Sequence, residues 1–185
     1  LAQSKFVCAS ITKTQVKRNP QTPYRTSTLQ RAAAARFRFR ARRTMDVAQR
    51  LYEGIDIGDG THGLITYMRT DSTRVSAEAR NQATDFIKQH HGENYLGKGA
   101  KAKARKGVQD AHEAIRPTDV NRTPEMMKAF LDSDEARLYE LIWRRFVASQ
   151  MAPAIFSEVA VEITAGEYGF RASGSVLVFD GWQAV

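Results

Sequence analysis

The sequence LYELIWRRFVASQMAPAIFSEVAVEI, residues 138–163, changes its hydrophobic period near Pro153. Before that proline, apolar residues recur every three or four positions, as on the buried face of a helix. The residues predicted to form this buried face are Leu138, Leu141, Ile142, Phe146 and Val147. After the proline, apolar and polar residues alternate, as they do along a strand. The stretch therefore predicts a helix that is followed by antiparallel β-structure.

The rest of the chain extends this division into two parts. Residues 5–18 mix β-branched and basic side chains, which predicts a strand exposed on one face. The residues between that strand and Pro153 carry mainly helical signals. We therefore expect an α+β fold in which a helical domain, residues 27–152, is inserted into a β domain formed by residues 1–26 and 153–185. In this arrangement the first strand pairs with the last ones.

Helix starts are predicted where a capping side chain precedes a helical pattern. The predicted caps are Ser27, Thr44, Ser76, Thr123 and a residue near Ser133. A short strand is expected from Gly63 to Tyr67, and glycines and basic residues predict a flexible loop over residues 92–108.

The composition favours a polyanionic partner. The chain has 28 Lys and Arg against 20 Asp and Glu, a formal net charge of +8, while 42% hydrophobic residues suffice for a core. Cys8 is the single cysteine, so an intrachain disulfide is excluded and a reducing, cytoplasmic compartment is expected. No apolar run approaches the ~18 residues that a membrane span needs. Both ends of the sequence suggest a segment of a larger protein.

The segment Arg36-Phe37-Arg38-Phe39-Arg40-Ala41-Arg42-Arg43 alternates basic and aromatic residues. One interpretation is a helix–turn–helix connection with solvated charges. The other is a strip that contacts phosphate groups.

Tyr67 and Arg69 lie two positions apart, which would place them on the same face of a strand. A phenol is a poor nucleophile at neutral pH, because the reference pKa of tyrosine is ~10. A neighbouring guanidinium favours the phenolate and binds phosphate oxygens in a bidentate fork. The pair therefore suits phosphoryl transfer, although most tyrosines two residues from an arginine are structural.

Four motifs raise the significance of this pair. Residues 63–73, GLITYMRTDST, and residues 111–118, AHEAIRPT, are similar to the two signatures of bacterial type IA DNA topoisomerases. Residues 23–30, PYRTSTLQ, resemble the start of that family's helical domain, and residues 43–54 resemble a fourth motif. The methionine at position 68 makes the resemblance strongest to the topoisomerase I branch of that family.

The resemblance implies a function and a set of roles. Enzymes of this family cut one DNA strand through a 5′-phosphotyrosine, pass another strand through the gap and reseal it without ATP, which relaxes negatively supercoiled DNA. It implies that Tyr67 is the nucleophile, that Arg69 holds the scissile phosphate and that His112 contacts DNA or a proton network. It also implies supporting roles for Asp71 and Arg116, and a further supporting residue is Thr70. The helical domain is then expected to be winged-helix-like, and the antiparallel β domain is expected to be part of a toroidal gate.

Two features depart from the family pattern. Arg38 stands where relatives have a glycine between two helices. The acidic Asp-x-Asp-x-Glu cluster that binds Mg²⁺ in a separate N-terminal domain is absent, and Ala136 occupies the glutamate position in the run that begins at Asp132. We interpret that run as a helix cap. The resemblance therefore implies no cofactor in this chain and Mg²⁺ in the parent enzyme.

Three hypotheses follow from these observations. The first is the gate part of an enzyme, which is expected to bind single-stranded DNA but not to cleave it alone. The second is a non-catalytic DNA-binding module, and the third is a structural domain with a solvated basic surface. The Tyr67–Arg69 pair favours the first, in the bacterial nucleoid and with the rest of the polypeptide and DNA as partners.

Overall fold

The computed structural model describes residues 5–98 and 112–185. The strands are β1 (Val7–Arg18), β2 (Ile55–Asp56), β3 (Thr61–His62), β4 (Ala154–Ala165) and β5 (Tyr168–Phe179). The α-helices are α1 (Thr26–Phe37), α2 (Ala41–Glu53), α3 (Ala77–His90), α4 (Pro124–Met127) and α5 (Ser133–Gln150). Short 3₁₀ helices span Glu93–Tyr95 and Gly181–Ala184. The α+β class predicted from the sequence is confirmed.

The three long strands form one antiparallel sheet in the order β1-β4-β5. Val16 pairs with Phe156, and Val159 pairs with Gly174. The prediction that the first strand pairs with the last ones is therefore confirmed. The prediction that β1 is exposed on one face only is wrong, since almost every residue of β1 is exposed. The division of the chain at residues 27 and 153 remains a prediction.

The hydrophobic core lies among the helices. The five residues predicted from the period of α5 are all buried, and Phe146 and Ile142 are among the largest fully buried side chains. Side chains of α1, α2 and α3 join the same core, with Leu29, Leu51 and Ile87 completely inaccessible to solvent. Almost every residue of β1 and β5 is exposed, so the helices supply most of the apolar burial.

Two helix starts follow the predicted caps. The Ser76 hydroxyl accepts a hydrogen bond from the amide of Ala79 at the start of α3. The Thr123 hydroxyl accepts one from the amide of Met126 at the start of α4. Helix α5 begins as expected near Ser133, but the cap is Asp132, whose carboxylate accepts from two amides.

Two predicted caps are wrong. Ser27 lies inside α1, which begins at Thr26, because the Thr28 hydroxyl accepts from the backbone N–H of Arg25 one turn earlier. Thr44 lies inside α2, where its buried hydroxyl donates to the carbonyl of Arg40. A hydroxyl residue within the first turn of a helix gives the same sequence pattern as a cap, so the pattern does not distinguish the two positions.

The segment between α1 and α2 forms a tight connection. Arg38 ends α1 in the left-handed region, with φ of 58° and ψ of 28°, where its amide donates to the carbonyl of Ala34. A residue other than glycine in this region carries about 1–3 kcal/mol of strain. Phe39 offsets this by burying its ring against Phe37 and under the guanidinium of Arg43. The connection predicted for this basic segment is confirmed, while its contact with phosphate remains a prediction.

The junction between helices and sheet contains part of the predicted loop. Tyr95 donates its hydroxyl to Asp180 at 2.8 Å, and its carbonyl accepts from the amide of Ala152 at 2.8 Å. The amide of Gly97 donates to the carbonyl of Gln150. The prediction of a flexible loop is therefore wrong for residues 92–98, which are bonded to the end of α5, and residues 99–111 lie outside the described residues.

Within residues 5–98 and 112–185, no helix is both long and apolar enough to cross a membrane.

Removing the Phe146 side chain tests the location of the core. Phe146 is 1% exposed and Phe130 is 42% exposed. Phe146→Ala should therefore lower the free energy of unfolding by about 3–5 kcal/mol. Phe130→Ala, the matched control, should lower it by less than about 1 kcal/mol. Urea denaturation followed by circular dichroism measures both, and equal losses would contradict a core centred on α5.

Candidate active site

Tyr67 lies in an extended segment that is not part of a sheet. The strand predicted from Gly63 to Tyr67 is wrong, because its only backbone bridge in the described part of the chain joins Ile65 to Pro117. The shared face that a strand would give to Tyr67 and Arg69 is nevertheless present. Tyr67, Arg69 and Asp71 are exposed, while the intervening residues Met68, Thr70 and Ser72 are buried.

Thr26, in the 23–30 motif, holds one end of the Tyr67 segment. The Thr26 hydroxyl donates to the carbonyl of Met68 at 2.7 Å and accepts from the amide of Thr70 at 2.9 Å. The backbone N–H of Thr26 donates to the carbonyl of Thr70 at 2.9 Å. These bonds bury Met68, with 0% exposure, directly beside the exposed Tyr67. One residue at the start of α1 thus fixes the backbone on the C-terminal side of Tyr67.

A second threonine holds the other end of the segment. The Thr66 hydroxyl donates to the carbonyl of Ala114 at 2.7 Å and accepts from the amide of Arg116 at 3.0 Å. The amide of Thr66 donates to the carbonyl of Arg116 at 2.9 Å. Tyr67 is therefore placed between two side chains that each bind backbone groups from a distant part of the sequence.

Residues 112–118 lie at the centre of this arrangement. The amide of Ile115 donates to the carbonyl of Tyr24 at 2.8 Å, and the amide of Ala114 donates to the carbonyl of Arg74 at 2.8 Å. On the other side the amide of Thr118 donates to the carbonyl of Leu64 at 3.0 Å. The described residues of the motifs at 23–30, 63–73 and 111–118 therefore meet at one place.

The end of α2 supports the ring of Tyr67. Tyr52 packs edge-on against it, with ring centroids 5.4 Å apart and an interplanar angle of 66°. The amide of Leu64 donates to the carbonyl of Leu51 at 2.7 Å. Gly63 permits this approach, because a Cβ there would lie 2.7 Å from the carbonyl oxygen of Tyr52. Tyr67 itself remains 42% exposed, so its hydroxyl can be approached from solvent.

An ion pair stiffens the segment that follows His112. Two nitrogens of Arg116 donate to Glu113 at 2.7 and 2.9 Å, and a third donates to the carbonyl of Pro117 at 2.9 Å. Burial acts to raise the pKa of Glu113. The hydrogen bonds and charge of Arg116, together with hydrogen bonds involving Ser76, outweigh burial and hold that pKa below its ordinary value. The contact with Ser76 ties this segment to the start of α3.

The predicted site residues fall into two groups. Tyr67, Arg69, Asp71 and His112 are all exposed, on segments that Thr66 joins. The other two residues, Thr70 and Arg116, have structural roles. Thr70 is buried and its hydroxyl accepts from the amide of Ser72, while Arg116 donates to Glu113 and to the carbonyl of Pro117.

Comparison with known proteins identifies the family. The sequence pattern of the DNA topoisomerase family matches residues 1–185, the whole chain. A solved structure of full-length topoisomerase I from Thermotoga maritima is similar to 98% of this chain, at 41% identity and a TM-score of 0.88. The chain belongs to the bacterial type IA DNA topoisomerases. It spans 29% of the length of that Thermotoga maritima chain.

The acidic run at the start of α5 does not suit the Mg²⁺ that this topoisomerase family implies. Asp132 accepts from the amides of Asp134 and Glu135, both at 2.8 Å. Arg43 donates to Asp134 and Arg50 donates to Glu135, each at 2.7 Å. These carboxylates are engaged in a helix cap, as the sequence predicted, and also in ion pairs. Within the described ranges, no three His, Cys, Asp or Glu side chains are grouped to hold a metal ion.

Sequence reasoning missed three residues that position Tyr67 in this member of the topoisomerase family. Thr26 and Thr66 lie inside the recognised motifs, but no local pattern indicates that their hydroxyls bond to backbone 42 to 50 residues away. Tyr52 lies in the fourth motif, two residues before Gly54. This position is the sequence feature that could have indicated its role. Its contact with Tyr67 depends on the path of the chain between them.

Removing the Thr26 hydroxyl should loosen the Tyr67 segment. Thr26→Val keeps the side-chain shape but leaves the carbonyl of Met68 without this donor, which should lower the free energy of unfolding by about 1–3 kcal/mol. Amide hydrogen exchange across residues 66–72 should accelerate. Thr26→Ser, which retains the hydroxyl, should restore slow exchange.

Thr84→Val is the matched control for Thr26→Val. The Thr84 hydroxyl donates only to the carbonyl of Arg80, one turn earlier in α3. Its loss should leave exchange at residues 66–72 unchanged. If Thr26→Val and Thr84→Val behave alike, Thr26 does not hold the segment.

The Glu113–Arg116 pair should make stability depend on pH in the acid range. Glu113→Gln should lower the free energy of unfolding at pH 7 by about 1–3 kcal/mol. Because the folded pKa of Glu113 lies below its unfolded value of about 4.3, this stabilisation is present above that pH and is lost below it.

Urea denaturation of both proteins from pH 7 to pH 3 measures the effect. The difference between wild type and Glu113→Gln should shrink as the pH falls through the lowered pKa. Glu167→Gln, at the exposed turn between β4 and β5, should differ little from wild type at any pH. A constant difference for Glu113→Gln would show that the ionised pair is not its cause.

Proposed function

We propose that this chain is the tyrosine-bearing part of the gate of a type IA DNA topoisomerase, and that Tyr67 is its nucleophile. The observation that supports this most strongly is the placement of Tyr67. It is 42% exposed, yet its backbone is bonded on one side through Thr66 and on the other through Thr26. A side chain that must attack a phosphate needs both access and a fixed position.

The proposed reaction conserves the number of phosphodiester bonds. The Tyr67 hydroxyl oxygen forms a bond to phosphorus as the bond from phosphorus to the 3′ oxygen breaks. The phenol loses its proton, the leaving 3′ oxygen gains one, and the 5′ end of the strand becomes attached to Tyr67. Attack by the same 3′ hydroxyl reverses these changes and reseals the strand, so no ATP is required. Passage of another strand before resealing relaxes negatively supercoiled DNA.

Exposed groups on the two segments that Thr66 joins suit the supporting roles. Arg69 follows Tyr67 on the same exposed side of the segment, where its guanidinium can bind two oxygens of the scissile phosphate. His112 lies next to Glu113, on the segment that Thr66 holds against the tyrosine. We assign His112 to DNA contact or proton transfer and Asp71 to orienting these groups. Arg116 and Thr70 support the backbone through the contacts described above.

The remaining requirements of the reaction lie outside this chain in the proposal. Mg²⁺ would bind to acidic residues in another part of the parent polypeptide and would supply charge stabilisation at the phosphate. The chain alone would bind single-stranded DNA without cleaving it. The parent enzyme would act in the bacterial cytoplasm, on single-stranded segments of negatively supercoiled DNA in the nucleoid.

A non-catalytic DNA-binding module is the second candidate. The net charge of +8 and the exposed arginines between α1 and α2 favour nucleic-acid binding in either case. Such a module would not require an exposed tyrosine held at both ends. Formation of a covalent DNA adduct distinguishes the two functions.

The tyrosine assignment predicts a contrast between two neighbouring rings. In the parent polypeptide, which carries the metal-binding part, Tyr67→Phe should abolish the covalent adduct with DNA. Tyr52→Phe keeps the edge-on packing and removes only a hydroxyl, so the adduct should still form. Denaturing gel electrophoresis with a labelled oligonucleotide measures both. Cleavage by the Tyr67→Phe variant would show that Tyr67 is not the nucleophile.

The electrostatic part of the proposal predicts a steep salt dependence. The affinity of the chain for single-stranded oligothymidine should fall as salt rises, with a log–log slope of about −0.7 for each phosphate contacted. Fluorescence anisotropy measures the slope. An uncharged methylphosphonate strand of the same sequence is the matched control and should bind weakly at every salt concentration. An affinity that does not change with salt would contradict binding through phosphates.

A further inference from the structure

A groove with a volume of about 620 Å³ lies between α1 and α5 and extends to the C-terminal 3₁₀ helix. Small side chains leave this space open, with Ala32 and Ala35 on α1 and Ala148 on α5. The ring of Tyr24 forms part of its wall. Tyr67 does not line the groove, so the groove is separate from the candidate active site. Its volume lies in the range of ligand-binding clefts.

The charge of the groove is positive. Its lining includes Arg36, Arg144 and Arg145, with Glu140 as its acidic residue. Arg144 donates to Glu140 at 2.7 Å, which neutralises that pair. Among the described residues, Arg36 and Arg145 form no ion pair with a carboxylate. Two guanidinium groups thus remain available for an anion.

The two available arginines are held near a buried ring. The Arg145 guanidinium lies 4.3 Å from the centre of the Tyr24 ring. Burial raises the pKa of the Tyr24 phenol, while the charges of Arg145 and Arg36 act against that rise. Both cations are therefore close to the same phenol. Their spacing is set by the packing of α1 against α5 and not by a flexible loop.

A second aromatic ring also lines the groove. Trp182 is part of the lining, and its indole N–H donates to the carbonyl of Arg18 at 2.9 Å. Its amide donates to the carbonyl of Ala152 at 2.9 Å. The ring is half-buried, so its orientation is fixed while part of its surface faces solvent.

We propose that this groove binds single-stranded nucleic acid, with phosphate groups on Arg36 and Arg145 and a base stacked on Trp182. Fixed guanidinium groups next to an aromatic surface are the combination by which proteins hold single strands without reading their sequence. A chain of carboxylates would use the arginines but would gain nothing from the indole. A duplex would use the arginines but would offer no unpaired base. The combination therefore favours a single strand over an acidic peptide or a duplex.

The proposed site is connected to the tyrosine through one segment. The side chain of Tyr24 lines the groove, while its carbonyl accepts from the amide of Ile115, beside the Ala114 carbonyl that binds Thr66. A strand in the groove would therefore contact the same segment that begins with Tyr24 and holds the Tyr67 loop through Thr26. The groove proposal does not depend on Tyr67 being a nucleophile.

The two tryptophans allow a direct test. Trp143 is 7% exposed and its indole N–H donates to the carbonyl of Val120, whereas Trp182 faces the groove. Titration of the 185-residue chain with a short oligothymidine should therefore quench the emission of Trp182. Trp182→Phe, which keeps an aromatic ring, should abolish the change. An unquenched Trp182 at saturating oligothymidine would overturn the proposal.

Arginine variants test the phosphate contacts. Arg36→Gln and Arg145→Gln should each weaken the binding that quenches Trp182 and reduce the log–log salt slope by about 0.7. Arg31→Gln is the matched control, since Arg31 is exposed on α1 but does not line the groove. It should change neither quantity. Because Arg145 packs on a buried ring, Arg36→Gln, at an exposed position, provides the test that is independent of folding.

Two competitors test the choice of ligand. A polyglutamate peptide and a duplex of equal length should each quench Trp182 less than oligothymidine does. Equal quenching by polyglutamate would indicate a site for an acidic protein segment. Equal quenching by the duplex would show that no unpaired base stacks on Trp182. Equal effects of Arg31→Gln and Arg36→Gln would indicate general charge attraction and no built site. Each of these three results would overturn the proposal.

Discussion

The hydrogen bonds of Thr26 and Thr66 are the interactions on which the tyrosine segment depends. A backbone outside a helix or sheet must find other partners for its polar groups, since leaving them unpaired in a protein interior costs about 1–3 kcal/mol each. Here two hydroxyls, at the start of α1 and next to Tyr67, supply those partners. They allow Met68 to be buried completely while the adjacent Tyr67 stays exposed. The segment keeps the alternation of a strand without requiring a neighbouring strand.

The surroundings of the two threonines follow from the same constraint. Thr66 can reach Ala114 only if residues 112–118 keep their path, and the Glu113–Arg116 pair stiffens that path. Gly63 is required where the chain passes the carbonyl of Tyr52. Distant motifs therefore cooperate in presenting one side chain. In this chain, motifs that lie far apart in sequence are therefore held together by contacts around Tyr67.

Periodicity and local capping predicted the parts of the structure that depend on neighbouring residues. The buried face of α5 and the cap at Ser76 follow from side-chain patterns within one element. The pairing of β1 with β4 follows instead from the order of the patterns, in which one helical block separates two β segments. Ser27 and Thr44 failed as caps, because a hydroxyl followed by a helical pattern also occurs inside a helix. The bonds of Thr26 and Thr66 were not predictable, since they join residues 42 to 50 positions apart. The roles of Tyr67, Arg69 and His112 rest on the family resemblance and remain predictions.

Mapping the covalent attachment of DNA to a residue is the most direct measurement of the central claim. Trypsin should release residues 51–69 as one peptide, because no Lys or Arg lies between Arg50 and Arg69. That peptide contains both Tyr52 and Tyr67, so fragmentation in a mass spectrometer distinguishes the two rings. After trapping of the adduct in the parent enzyme and nuclease digestion, the account predicts a 5′-nucleotide on Tyr67 alone. A nucleotide on Tyr52, or on a peptide outside residues 51–69, would contradict it.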